Sequence, residues 1–243
     1  MSIKEMIAID NLSYTYPDGT KALDAVSLRI YKKECVGIIG PNGAGKSTLL
    51  LHLNGILKGQ GVVKISGEEV RDDNLCDIRR SVGIVFQDPE DQLFMPTVED
   101  DVAFGPINLG YDRKEIESSV NGALEDVDMI KAKKRISHHL SFGEKKRIAL
   151  ATILSMKPYI LALDEPTSNL DPKGRCEIMQ ALAKFDKTKI IATHDLDMVF
   201  ELCSRTIIFD KGRLVADGPA KEILSDKALL EKHNLLLPFC LQR

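Results

Sequence analysis

Apolar residues along this chain recur in two rhythms, and the switch between them outlines the fold. Alternation at Met6-Ile7-Ala8-Ile9 and at Val26-Ser27-Leu28-Arg29-Ile30, on either side of the turn Tyr16-Pro17-Asp18-Gly19, predicts two strands. Short apolar runs predict further strands at Cys35–Ile39, Val62–Ser66 (ended by Gly67), Val82–Phe86, Ile160–Leu163, Lys189–Thr193 and Thr206–Phe209. Between residues 97 and 157 the spacing changes to three and four, which predicts a mainly helical block with helices over 113–127 and 143–156. A helix over 172–186 follows, with Asp171 as N-cap and Pro172 at its first position. Strands alternating with helices imply an α/β fold with a largely parallel sheet, its site beyond the carboxyl ends of the strands. The helical block is then an insertion into that core. The tail over 218–243, with the strip Leu235-Leu236-Leu237-Pro238-Phe239-Cys240, predicts a short helix and a packing segment.

Composition narrows the class. At 243 residues the chain is long for one simple domain and short for two, which suits an α/β unit with insertions. A net charge of −3 supplies no basic field to draw the whole chain to nucleic acid. Five scattered cysteines without a C-x-x-C pair predict reduced thiols in a cytosolic protein rather than disulfides or zinc, with Cys35 and Cys203 in the core. The opening Met1-Ser2-Ile3-Lys4-Glu5-Met6 does not read as a leader. No apolar run approaches the roughly 18–20 residues of a membrane span, so the chain is not expected to cross a bilayer by itself.

Between the run Cys35–Ile39 and a helix opening at Lys46 lies Gly40-Pro41-Asn42-Gly43-Ala44-Gly45-Lys46-Ser47-Thr48. Glycines let consecutive N–H groups curl around phosphate oxygens, and a helix N-terminus adds partial positive charge. In this pattern Lys46 reaches the β- and γ-phosphates and the Ser47 hydroxyl ligates Mg2+, so the chain is expected to bind a nucleoside triphosphate. Ile160–Leu163 delivers Asp164-Glu165 at a strand end, where Asp164 is placed to hold Mg2+ through water and Glu165 to deprotonate attacking water. Ala192-Thr193-His194-Asp195 ends the next strand, putting His194 on the same edge to bond the γ-phosphate or the water-positioning groups; His52, His138, His139 and His233 carry no such expectation. Leu140-Ser141-Phe142-Gly143-Glu144 precedes Lys145-Lys146-Arg147, three cations expected in a helix's first turn, against its macrodipole. An approaching triphosphate relieves that cost if Ser141, the Gly143 amide and the helix end bind an oxyanion.

Taken in order, the phosphate loop, Gln87, Leu140–Glu144, Ile160–Glu165, Ser168-Asn169-Leu170-Asp171 and His194 resemble the nucleotide-binding subunit of ATP-binding-cassette transporters, over roughly residues 6–220. The resemblance implies a P-loop NTPase with a RecA-like core, an N-terminal antiparallel β subdomain and an inserted α-helical subdomain, in a single domain over 1–243. Within it, 1–86 holds the β subdomain and the phosphate-loop half of the core, 87–157 the helical insertion, 158–217 the second half of the core and 218–243 the tail. It also implies ATP and Mg2+ as ligands, Tyr16 stacking on adenine, and Gln87 contacting Mg2+ and sensing the γ-phosphate. Ser141, Gly143 and Glu144 are implied to bind the ATP held by another protomer, and Ser168–Asp171 to pack across a dimer of identical or related chains. Phe142 departs from the family's usual Gly. A bulky residue avoids positive φ, so either the backbone there suits an L-residue or the site is altered. Glu144 in place of Gln is a milder departure.

The segment Val85–Phe94, followed by Asp101–Gly110, looks like the ATPases of energy-coupling-factor importers, especially the cobalt and nickel branch, whose second Gln matches Gln92. Cobalt is the first expected cargo, with the vitamin branch left open. Between Asp88 and Asp101 stand six acids (Asp88, Glu90, Asp91, Glu99, Asp100, Asp101) and no Lys or Arg, with Leu93-Phe94-Met95 as an apolar patch among them. That predicts a groove near Gln87–Asp101 for a short helix of an integral membrane subunit, anchored by Arg and apolar contacts, with the chain peripheral on the cytoplasmic face of the cell membrane. A soluble cassette ATPase acting on nucleic acid or ribosomes is the rival, without the long coiled-coil insertion or tandem cassettes typical of it. A GTPase lacks support, since no Asn-Lys-x-Asp stretch occurs.

Overall fold

The computed structural model describes residues 4–242; Met1-Ser2-Ile3, part of the stretch read above as no leader, and Arg243 lie outside the described residues. Strands β1 (Glu5–Thr15) and β2 (Lys21–Tyr31) pair antiparallel, and β4 (Gln60–Ile65) and β5 (Glu68–Glu69) complete a sheet of order β2-β1-β4-β5. The second sheet holds β3 (Cys35–Ile39), β6 (Val82–Val85), β7 (Ile160–Asp164), β8 (Thr188–Ala192), β9 (Arg205–Asp210) and β10 (Arg213–Pro219) in the order β10-β9-β3-β8-β7-β6. All its pairings are parallel except β9 with β10. Helices α1 (Lys46–Leu53) and α2 (Leu75–Ser81) lie in the first third. Helices α3 (Val98–Asn108), α4 (Arg113–Asp126) and α5 (Phe142–Leu154) form the predicted insertion. Helices α6 (Pro172–Lys184), α7 (Leu196–Leu202), α8 (Ala220–Ser225) and α9 (Lys227–Lys232) complete the chain.

Period-two alternation in the central strands builds two cores from one sheet. Val36, Ile38, Ile160, Ala162, Ile190 and Ile207 face the antiparallel sheet and α1. Their neighbours Cys35, Ile39, Leu161, Leu163, Ile191 and Ile208 face the helices, including the insertion through Val102, Leu124 and Ile148. Cys35 and Cys203 are buried as expected, their sulfurs 3.6 Å apart. Asp171 caps α6 by accepting from the Gly174 amide, with Pro172 at the first position.

The acidic stretch 88–101 differs from its sequence reading. Leu93 belongs to the helical core rather than to a surface patch. Asp101 is buried, and its carboxylate accepts from the amides of Phe94 and Met95 and from the Ser137 hydroxyl. Glu90 pairs with Lys145 and Glu99 with Lys133 and Lys134, cations that come from elsewhere in the chain. Asp91 stays exposed with no ion-pair partner among the described residues. The apolar surface that remains is Phe94 stacked edge-on against Phe104, at a ring separation of 4.9 Å, with exposed Ile107 nearby in α3. Replacing Asp101 by Ala strands three donors in a dry site. We expect a loss of about 3 kcal/mol, read as a lower urea midpoint at unchanged slope.

Candidate nucleotide-binding and hydrolytic site

The phosphate loop leaves β3 at Ile39 and enters α1 at Lys46, as its spacing predicts. Gly40 has φ 151° and Gly45, the N-cap of α1, φ 100°. A Cβ at Gly40 would sit 2.1 Å from the Phe209 carbonyl oxygen, and one at Gly45 2.3 Å from that of Ala22, so neither position admits a side chain. The Gly212 amide donates to the Ala44 carbonyl, tying the loop to the β9–β10 turn. Lys46 is buried, and its Nζ donates to the carbonyls of Gly40 (2.7 Å) and Pro41 (3.1 Å). Burial lowers its pKa, against the pull of Glu165 and Asp164.

A cleft of about 710 Å³ opens above the loop, lined by residues 40–48, Tyr16, Gln87, Glu165 and His194 together with Thr20, Ala22, Asn234 and Leu235. Tyr16 is held there by its hydroxyl, 3.0 Å from that of Thr48. Of the residues expected to act on one triphosphate, all but Asp164 line this cleft. Thr20, Ala22, Asn234 and Leu235 join them without a signal in the sequence.

Asp164 ends β7, and its Oδ1 is buried without a hydrogen-bond partner among the described residues. Burial pushes its carboxyl upward and Glu165 adds to this, while the Ser47 hydroxyl, Lys46 and Lys146 oppose it. An uncompensated carboxylate oxygen with a hydroxyl beside it is a donor set suited to a hard divalent cation, so Ser47, Gln87 and Asp164 fit Mg2+. Glu165 carries φ 45°. Its Oε2 accepts from the Thr193 hydroxyl (2.9 Å) and the His194 amide (3.3 Å), and lies 2.8 Å from His194 Nδ1. Thr193, which the sequence reading passed over, is fully buried and also accepts the Asp195 amide. Asp195 in turn is held by a two-pronged Arg175 contact and by Thr167.

Ser141, Gly143 and Glu144 are not among the residues lining this cleft. Helix α5 starts at Phe142, not at Lys145, with Ser141 as N-cap and Glu144 closing a capping box: the Ser141 amide donates to Glu144 Oε2 and the Glu144 amide to Ser141 Oγ. The expected conflict between three cations and the macrodipole is thereby corrected. The first turn carries an acid, and the cations lie deeper, Lys145 on Glu90, Arg147 on Glu177 and Lys146 buried. Glu144 is engaged by its cap and by Arg135 at 2.7 Å, which hold its carboxyl below the usual range. Phe142 occupies an ordinary helical position and is not among the positive-φ residues, so its side chain is tolerated without strain. The segment Ser168–Asp171 abuts this helix start, with Leu170 3.5 Å from where a Gly143 Cβ would be.

The tail reaches the site from the far end of the chain. His233 contacts Asp210 at 2.9 Å, and the Asp197 carboxylate accepts the amides of Phe239 and Cys240. These ties place Asn234 and Leu235 in the cleft wall.

The family model for ABC transporters matches residues 23–168. The energy-coupling factor transporter ATP-binding protein EcfA of Methanococcus maripaludis is 49% identical over 234 residues, covering 94% of this chain and 84% of its own. The structure of cbiO1 from Clostridium perfringens, part of the ABC transporter complex cbiONQ, superposes with a TM-score of 0.84 at 39% identity, covering 95% of both chains. A dimeric post-hydrolysis structure of the ATP-binding cassette MJ0796, bound to ADP and Pi, gives 0.81 at 30% identity, covering 88% of this chain and 99% of that one.

Gly40→Ala tests the cradle. The strained backbone alone costs about 1–3 kcal/mol and the clash with Phe209 adds to it, so we expect a lower melting temperature and loss of binding to a fluorescent ATP analogue.

Proposed function

The chain belongs to the ABC transporter family and is an ATPase, and from that premise we propose that it drives an importer of the energy-coupling-factor type as one of two nucleotide-clamping protomers. One observation carries this reading. The phosphate loop, Glu165 and His194 share a cleft from which Ser141 and Gly143 of the same chain are missing. A complete site needs the second set from another copy or a paralogue, and the dimeric structure of the similar cassette MJ0796 supports that arrangement.

In the proposed reaction the loop amides and Lys46 neutralise the triphosphate, and Tyr16 stacks on the adenine. Ser47, Gln87 and Asp164 would hold Mg2+, which when bound would supply further neutralisation of the triphosphate's charge. Glu165 Oε2 is fixed by Thr193 and His194, while Oε1 has no hydrogen bond among the described residues and is free to orient water and take its proton. His194, largely exposed on the sheet edge, meets the γ-phosphate. The partner's Ser141 hydroxyl and Gly143 amide bind the same phosphate from across the interface, and Glu144 acts by holding Ser141 in its cap. Loss of the shared γ-phosphate releases the clamp and reopens the dimer.

The membrane partner docks in a groove of about 770 Å³ beside Gln92, Phe94 and Phe104. Arg79 and Arg80 line it, so its charge is mixed rather than acidic, with Asp91 exposed close by in sequence. No helix among the described residues is long and apolar enough to cross a membrane, which suits a peripheral subunit on the cytoplasmic face. Cobalt or nickel is the cargo we propose, on the resemblance of the Val85–Phe94 segment and its second Gln, Gln92.

Glu165→Gln should retain ATP, accumulate as a closed dimer by size-exclusion chromatography, and lose turnover by at least about a hundredfold. Phosphate release at the wild-type rate would remove Glu165 as the base. Purification from native membranes should recover integral membrane subunits and cobalt or nickel. A vitamin-binding subunit instead would reassign the cargo, and ribosomes or nucleic acid would reject the importer. Reversing the charge of Asp91 together with Phe94→Ala should release the membrane subunits while ATP binding persists; retained co-purification would move the groove elsewhere.

A further inference from the structure

Lys146 is buried to 3% exposure in the second turn of α5. It has no carboxylate within ion-pair distance among the described residues. Its Nζ donates instead to the main-chain carbonyl of Glu165 (2.5 Å) and to Ser168 Oγ (2.8 Å), and lies 5.7 Å from the centre of the Phe142 ring. An ammonium in such a place is expensive to bury. Burial pushes its pKa down to about 8, although Glu165, Asp164 and Asp88 all favour the charge. A residue serving only to fill space there would not need to be a lysine.

What it holds is unusual. Glu165 adopts φ 45°, a left-handed conformation that costs a non-glycine residue energy and persists only when its surroundings impose it. Three donors converge on its carbonyl: Ser168 N (3.2 Å), Ser168 Oγ (2.9 Å) and Lys146 Nζ. Both Ser168 donors come from the same tight turn as Glu165. Lys146 alone reaches it from another element, and that element is the helix capped by Ser141. The Glu165 amide is meanwhile fixed on the Ala192 carbonyl (2.8 Å), so a change at its carbonyl end rotates the carboxylate relative to Thr193 and His194.

We infer that Lys146 is a positioning residue for hydrolysis, its ammonium holding the Glu165 main chain in the left-handed conformation that aims the carboxylate into the cleft. The inference rests on the reading of Glu165 as the base. It adds that the base is held by the helix whose first residues clamp the nucleotide of the other protomer.

The test is steady-state hydrolysis of Mg-ATP by the full chain carrying Lys146→Met, Lys146→Gln or Glu165→Gln, with affinity measured for a fluorescent ATP analogue. Lys146→Met should lower kcat by at least about tenfold, since small misplacements of a reacting group cost that much or more. Its affinity for the analogue should stay within about twofold. Lys146→Gln keeps a donor at nearly the same reach and should recover part of the rate. Should Lys146→Met fail to fold, Lys146→Gln decides: a lower kcat at unchanged affinity supports the inference, and a wild-type kcat overturns it. Wild-type turnover in Lys146→Met beside an inactive Glu165→Gln also overturns it, as does a parallel fall of rate and affinity, which marks a packing residue. Wild-type turnover in Glu165→Gln removes the base itself, and the positioning role with it.

Discussion

The parallel register of three adjacent strands is the constraint on which the site depends. Ile38 of β3 pairs with Ala192 of β8, and Ala192 pairs with Asp164 of β7. The ladder then runs one step past the strand ends, with Thr193 N on the Ile38 carbonyl and Glu165 N on that of Ala192. Phosphate loop, acidic pair and histidine segment therefore leave the sheet in one row. A one-residue slip in any pairing would exchange core and site residues along the whole strand. The two cores on either side of the sheet hold the register, because each face is filled by alternate residues of the same strands.

That row gathers charge where burial is costly. Lys46, Lys146 and Glu165 are buried, and Asp164 is partly so. None of the buried lysines has a paired carboxylate of its own among the described residues; each leans on main-chain carbonyls instead. Carbonyl contacts fix an ammonium in place while leaving its charge uncancelled, so the field stays directed at the cleft. The opposite solution appears away from the site, where Glu99 with Lys133 and Lys134, and Arg205 with Asp217, neutralise each other at the surface. The contrast separates buried cations held by main-chain carbonyls from surface pairs that neutralise one another.

Legibility from sequence followed the range of the interactions. The phosphate loop was readable because its function needs adjacent residues, and Asp164, Glu165 and His194 because apolar strands deliver them at their ends. Strand β1 is legible in the sequence only over Met6–Ile9, since a bulge at Asn11, with φ 52°, breaks the alternation before Leu12. Strand β10 gave no apolar signal because it is an edge strand with alternately exposed residues and a Gly-Pro end. The acids of 88–101 looked unpaired only because their cations sit elsewhere in the chain. Asn234 and Leu235 reach the cleft through ties to Asp210 and Asp197, contacts between segments that no local pattern joins.

Helix α5 shows why those long-range contacts matter to mechanism. Its N-terminus is specified by a local capping box, its second turn by a distant strand end, and its remainder by the insertion core through Ile148 and Ala149. Helix α5 has no proline, and no glycine beyond its first turn, so the usual causes of a kink are missing from it. Under the proposed clamp, a displacement of Ser141 by nucleotide would pass to Lys146 in the next turn and to the core contacts with α3 and α4 beyond it. The first effect would reach Glu165, the proposed base. The second reaches Phe94 and Phe104, which the same insertion presents at the surface. In that proposal α5 links the two, meeting the sheet at the left-handed turn of Glu165 and the insertion core through Ile148.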